Sequence, residues 1–426
     1  MKKQLLIALL LLLLTITFNL GTQGQEIVIH QNNRVASLQI PTSEYNDWIA
    51  KDGIFDGTLS TALIQNIYKR FEDSFDFIFL ILNENTKPEG KAYGRSRLVS
   101  NNVSGIGKQL FNNANDFGSN GKLKALIELT RIDFLRSGPS LHELMHTWAN
   151  SAIPTETVDA LGTNLTSYAY WGHWGFTGGS SKGQLGGFDQ STLVSNGGNS
   201  YTVNLFGPNA NGANSVPYNE LELYLMGMIP VTSVSNFDVF SNITSLAINT
   251  DQTRLTFVAT KTTYTPESLE NLLGARSPAS DTYQKDFKAL VMILTDEPVS
   301  NDKWEFLDDQ VEKFSRTSSD DSSSFNFWEA TNGLGTIDMS NLDTSVLGLE
   351  NNVLTKTIAI FPNPANEYIK IQGLNNSESY KIYDALGKEI IKGQTYKNEI
   401  INIKNLTKGF YFMMTETGKK LKFVKN

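Results

Sequence analysis

Ser137-Gly-Pro-Ser-Leu-His-Glu-Leu-Met-His-Thr-Trp148 decides how the larger part of this chain is read. Ser, Gly and Pro make a helix-start signal, and Pro139 suits a first helical turn, where a missing N–H costs nothing. Leu141, Leu144, Met145 and Trp148 then recur at i, i+3, i+4 and i+7, an apolar stripe that packs one side of a helix. His142 and His146 fall one turn apart on another side, so both can aim a ring nitrogen at one ion. Glu143 is turned by about 100° from His142 and can reach a water held by that ion. Only four histidines occur in the chain. With Glu at about one residue in twenty, chance gives roughly 0.002 matches to this pattern. Ser140-x-x-Glu143 also fits a capping box, which would employ Glu143 structurally, although Pro139 argues for an earlier helix start.

Upstream, Lys122-Leu-Lys-Ala-Leu-Ile-Glu-Leu129 alternates and reads as an edge strand with one polar face. Strand, loop and His-Glu-x-x-His helix, in that order, resemble the zincin-type metallopeptidases. The resemblance implies an α+β, zincin-like catalytic domain over about residues 25–345, built from a mixed sheet and an active-site helix. It implies Zn2+ held by His142 and His146, with Glu143 as the general base of peptide-bond hydrolysis by a metal-activated water. Two rivals stay open: a zinc hydrolase of a non-peptide amide or glycan bond, and a non-catalytic cell-surface or adhesion protein with a structural metal site.

A catalytic zinc usually has three protein ligands, so one more is needed. The metzincin pattern wants Gly and His soon after the motif, and Thr147-Trp-Ala-Asn-Ser-Ala152 has neither. The deuterolysin-like pattern wants an Asp, and Gly162-Thr-Asn-Leu-Thr-Ser-Tyr168 carries no acid. His173, in Tyr170-Trp-Gly-His-Trp-Gly175, is the only histidine downstream of the motif, and its glycines give the backbone freedom to turn it. It is the expected third ligand; the competing reading packs it between Trp171 and Trp174. Glu222 is the alternative, in an expected helix over Tyr218–Met228 that ends at Gly227 ahead of Pro230. A helix Glu serves as third ligand in the thermolysin-like class, whereas a solvated helix face is the plain reading of Glu220 and Glu222. Glu156 and Asp159 stay open as ligands or partners of a ligand. His30 reads as an ordinary surface residue. Tyr168, Tyr170, Tyr218 and Tyr224 are candidates to stabilise an oxyanion. Met226 reads as core rather than as a floor under the metal.

The rest of residues 25–345 reads as a leading hairpin (Glu26–Ile29 and Val35–Ile40), a helix over Thr58–Arg70 and a buried strand over Phe75–Leu82. A further helix is expected over Asp302–Phe314. Asn- and Gly-rich stretches at 99–121 and 174–216 read as ordered loops near the site, because aromatics interrupt both. Residues 25–55 could equally be a propeptide.

Lys2 and Lys3, the apolar run Leu5–Leu14 and the small and polar residues Gly21, Thr22 and Gly24 make residues 1–24 a signal peptide. The run is short of the roughly 20 residues a spanning helix needs. No cysteine occurs, so there is no disulfide, no thiol nucleophile and no lipoprotein anchor. A net charge of −8 argues against nucleic acid as a partner.

From about residue 350 short strands alternate with Asn/Gly turns, as a small β-sandwich would. Phe361-Pro-Asn-Pro364, Ile382-Tyr-Asp-Ala-Leu-Gly-Lys-Glu-Ile390, Leu406-Thr-Lys-Gly-Phe-Tyr-Phe412 and Lys419-Lys-Leu-Lys-Phe-Val-Lys425 follow one another. Together they resemble the C-terminal type A (Por-type) sorting domain of type IX secretion, found in Bacteroidetes. The resemblance implies a sorting domain over residues 350–426, the type IX machinery as a partner, and a secreted or cell-surface destination. It says nothing about chemistry. The cargo is expected to act as a monomer.

Overall fold

Phe77-Ile-Phe-Leu-Ile-Leu82 is apolar at every position because both faces of this strand are covered. Phe77, Phe79 and Ile81 join one hydrophobic core, and Ile78, Leu80 and Leu82 join another on the opposite face. The computed structural model describes residues 25–342, apart from 151, 161–163 and 170–171. It also describes residues 359–426, apart from 373–376, 386, 397–398 and 417–419. The expected signal peptide lies outside the described residues. No helix among those described is long and apolar enough to cross a membrane. The chain divides into two compact units at Asn351/Asn352.

The larger unit is mixed α/β. Its main sheet runs, from one edge to the other, Glu26–Ile29, Val35–Gln39, Asp286–Thr295, Phe77–Leu82, Ala125–Leu129 and Gly94–Leu98, with Thr336–Asp338 beside Asp286–Thr295. The four middle strands are parallel, while the first and the last run antiparallel to their neighbours. The sheet is therefore mixed, as expected.

The expectation that the strand ending at Leu129 is an edge with a polar face is corrected. Ala125–Leu129 lies between two strands and is buried throughout. Its one acid, Glu128, is enclosed: Trp48 donates Nε1–H to it at 2.5 Å, and Arg95 lies 3.5 Å away. The true edge is Gly94-Arg-Ser-Arg-Leu98, a strand with polar residues at its three central positions.

One face of the sheet carries the helices Thr42–Ala50 and Gly57–Tyr68. The second is capped by Asp56, which accepts from the N–H groups of Thr58 and Leu59 at 2.9 Å. The other face carries the helices Ser140–Ala149, Glu220–Met226 and Asn301–Phe314. Residues 194–264 add a four-stranded antiparallel sheet whose long hairpin, Phe237–Ile248 with Arg254–Tyr264, packs on an aromatic cluster of Phe176, Phe188, Phe206, Phe240 and Phe257. His30, expected at the surface, is instead buried. It stacks on Trp304 with ring centroids 5.2 Å apart and lies 3.6 Å from the Asp308 carboxylate.

The smaller unit is all β. A three-stranded and a four-stranded antiparallel sheet enclose Ile369, Ile371, Ile382, Met413 and Phe423. Period-two alternation explains it: Tyr411 and Met413 point inward, whereas Phe410, Phe412 and Met414 are exposed.

Candidate metal centre

The helix Ser140–Ala149 begins one residue after Pro139. Its stripe of Leu141, Leu144, Met145 and Trp148 is buried against the sheet, and Trp148 donates to the Tyr283 hydroxyl at 3.0 Å. The capping box does not form, because the Ser140 hydroxyl turns back to the Leu135 carbonyl. Asn214 does that work from afar. Its Oδ1 accepts the Leu141 N–H at 3.1 Å, and its Nδ2 donates to Leu135 O, Arg136 O and Ser140 Oγ. Glu143 is thereby free of any capping role.

The structure brings together His142, His146 and His173. The Nε2 atoms of His146 and His173 each lie 3.2 Å from Nε2 of His142, and the three residues form a group that could hold a metal ion. The outer nitrogens of the two helix histidines are tied down. His142 Nδ1 donates to the Gln184 carbonyl at 2.8 Å, and His146 Nδ1 donates to Asn150 Oδ1 at 2.6 Å. Each bond fixes the tautomer that leaves Nε2 as a lone-pair donor toward the common point. Burial pushes His142 below the usual imidazole range, and burial with the two neighbouring rings pushes His146 further below it. Both shifts favour the neutral ring, the state a metal ligand requires.

His173 reaches the helix through Gly172, whose φ of +85° favours glycine and where a Cβ would lie 3.3 Å from the His146 ring. The Thr155 hydroxyl holds the His173 carbonyl at 3.0 Å.

Glu222 is not part of this group, which corrects its expectation as alternative third ligand. It is completely buried, forms the capping box of its own short helix with Asn219, and accepts an N–H bond from Trp174. The spacing rule that favours it takes no account of the Gly-rich segment folded over it. Glu220 accepts from Ser235 N at 2.7 Å, and Glu156 accepts from Asn242 N at 2.7 Å; neither joins the histidines. Among the tyrosines, Tyr218 donates to the Leu141 carbonyl and Tyr224 is buried, so neither faces the cleft. Tyr170 lies outside the described residues, as do the side chains of Tyr168 and Asp159. Met226 sits in the core.

The three histidines stand in a cleft of about 1140 Å³. Glu143 lies beside them, and Gly94, Ser96 and Leu98 of the edge strand form a wall. Burial raises the Glu143 carboxyl to about 8, against the pull of Arg95. Lys108, from the Asn-rich stretch, also lines the cleft and donates Nζ to the carbonyls of His146 and Thr147 at 2.7 and 2.8 Å, and burial lowers it to about 7. Sequence reasoning missed Lys108, Arg95 and Tyr93. All three line the cleft, and Lys108 reaches His146 across 38 positions, to which no local pattern points.

No curated protein matches the chain. Residues 359–426 match the family model described as a secretion system C-terminal sorting domain. That domain engages the type IX secretion machinery, and this chain carries the mark of proteins sent through that system to the cell surface or the extracellular space.

Proposed function

We propose that the chain is a secreted zinc-dependent metallopeptidase with a zincin-like catalytic domain. The observation that carries this reading is the convergence of three imidazole Nε2 atoms beside the Glu143 carboxylate in one large cleft. Zinc–nitrogen bonds of about 2.0–2.1 Å at tetrahedral angles put ligand nitrogens about 3.3 Å apart, and the spacing of 3.2 Å fits that. A set of neutral nitrogens with no thiolate suits zinc, and three protein ligands leave a position open for chemistry. Bound zinc supplies a Lewis acid that acidifies water and polarises a carbonyl.

Glu143 is the residue that takes and returns the proton. Its carboxylate is enclosed, held by no capping bond, and one helical position from His142. Once a dication sits nearby, its pKa falls from the raised value, which gives a base near neutral pH. Peptide is favoured over other amides by the cleft wall. Gly94–Leu98 is an edge strand, and its outer main-chain groups can pair with an extended substrate backbone.

The test is metal content and peptide hydrolysis of the purified chain beside Glu143→Gln. The reading expects about one zinc per chain in both and a fall in kcat by a factor of about 10² to 10⁴ in the variant. Equal hydrolysis by the two proteins removes Glu143 as base. Zinc without hydrolysis of any peptide in a broad library moves the reading to a non-peptide bond or to a structural metal site.

A further inference from the structure

We infer that Glu222 is a positioning residue that sets two of the three histidines in register for one ion, an inference that rests on the metal-centre reading above. His142 is on a helix packed in the core, but its Nδ1 anchor, the Gln184 carbonyl, belongs to the Gly-rich segment. His173 belongs to a turn whose next residue, Trp174, is the one that enters the core. Neither Gln184 nor Trp174 is part of a regular element, so something must fix both.

Glu222 does so with both oxygens. Oε1 accepts the Trp174 indole N–H at 2.9 Å and the Leu185 N–H at 2.9 Å. Oε2 accepts the Gln184 N–H at 3.1 Å and the Asn219 N–H at 3.0 Å. A further bond, Trp174 N–H to the Leu185 carbonyl at 2.8 Å, closes the ring between the two arms. One arm runs Glu222, Gln184, His142; the other runs Glu222, Trp174, His173. Four N–H donors occupy the acceptor positions of this one buried carboxylate and work against the burial that pushes its pKa up. Gly183 is what lets the segment approach: a Cβ there would meet Glu222 Oε1 at 2.7 Å.

The two arms explain why an acid sits there and why an amide cannot replace it. Glu222→Gln presents an NH2 group to two N–H donors, so whichever way the amide turns, one pair of bonds is lost. Loosening Gln184, whose carbonyl is the direct partner of His142, is expected to cost metal affinity up to the about 10–100-fold that loss of such a partner costs.

The experiment is a zinc competition titration against a chelating dye, with a cobalt(II) absorption spectrum at saturation, on the mature chain and on Glu222→Gln. Trp174→Phe, which deletes the indole donor together with part of its buried ring volume, is the companion for the case in which Glu222→Gln fails to fold. The expected result is zinc affinity weaker by up to about 10–100-fold, with a cobalt spectrum that differs from wild type in band position and intensity. Wild-type affinity in the folded variant, or weaker affinity with the wild-type spectrum at saturation, overturns the positioning role. A wild-type chain that takes up neither metal overturns the metal-centre reading itself, which is a separate and distinguishable result.

Discussion

Gly94 stands directly against Glu143: a Cβ at position 94 would lie 2.7 Å from Glu143 Cγ and 2.8 Å from its Oε1, with the Pro139 ring 2.8 Å away as well. The glycine is needed for space, because the strand here is regular. The wall of the cleft and the carboxylate therefore share one volume, and the edge strand fixes where the carboxylate can be.

Gly94→Ala is expected to displace the Glu143 carboxylate while leaving the histidines in place. A shift of about 1 Å at a reacting group costs on the order of 10²-fold in rate. The expected outcome is a fall of about 10- to 100-fold in peptide kcat/KM with unchanged zinc content. Parallel kinetic and metal assays check it. Unchanged kinetics would mean that the carboxylate does its work from another position, or does none.

Glu143 also makes a prediction about pH. Burial raises its carboxyl from 4.5 to about 8. Between those values the folded, metal-free chain holds a proton that the unfolded chain has released. Stability must then fall as pH rises through that window, by about 1.4 kcal/mol for each pH unit crossed. His142 and His146, held below their usual range, act the other way below 6.5, but they are common to both proteins in a comparison with Glu143→Gln. The metal-free variant should gain on wild type between about pH 5 and about pH 9. Urea midpoints at the two ends measure it, and parallel pH profiles for the two proteins would show that Glu143 is not desolvated.

How far the sequence can be read follows from which contacts are local. The spacing of His142 and His146, the stripe of Leu141, Leu144, Met145 and Trp148, and the apolar run at Phe77–Leu82 are properties of one element each, so periodicity carries them. His173 can be named because histidines are scarce and glycines flank it. Glu222 escapes such a reading because its partners, Trp174, Gln184 and Leu185, come from a segment with no periodicity. The edge strand escapes it for a related reason. Arg95 and Arg97 look solvated but are drawn inward, Arg95 to Asp52 at 2.7 Å and Arg97 to the Ile54 carbonyl at 2.8 Å, and only the partners reveal it. The polar positions of Lys122–Leu129 likewise have partners in the fold, Glu128 beside Arg95 and Lys122 and Lys124 beside Asp76.

The smaller unit carries the last prediction. Its hydrophobic core consists of its own residues, among them Ile369, Ile371, Ile382, Met413 and Phe423, and the cores of the larger unit are built from residues before the division at Asn351/Asn352. Deleting residues 352–426 therefore removes no side chain from the core under His142, His146 and His173. The truncated chain is expected to fold, to keep its thermal midpoint within a few degrees of the larger unit in the full chain, and to bind zinc as before. Export should fail, because residues 359–426 are the sorting domain. Fractionation of the native host, with wild type at the surface or in the medium and the truncated chain retained within the cell envelope, is the expected outcome. Normal export of the truncated chain would place the sorting signal elsewhere in the sequence. Loss of folding would show that the larger unit depends on the tail in a way its own core does not require.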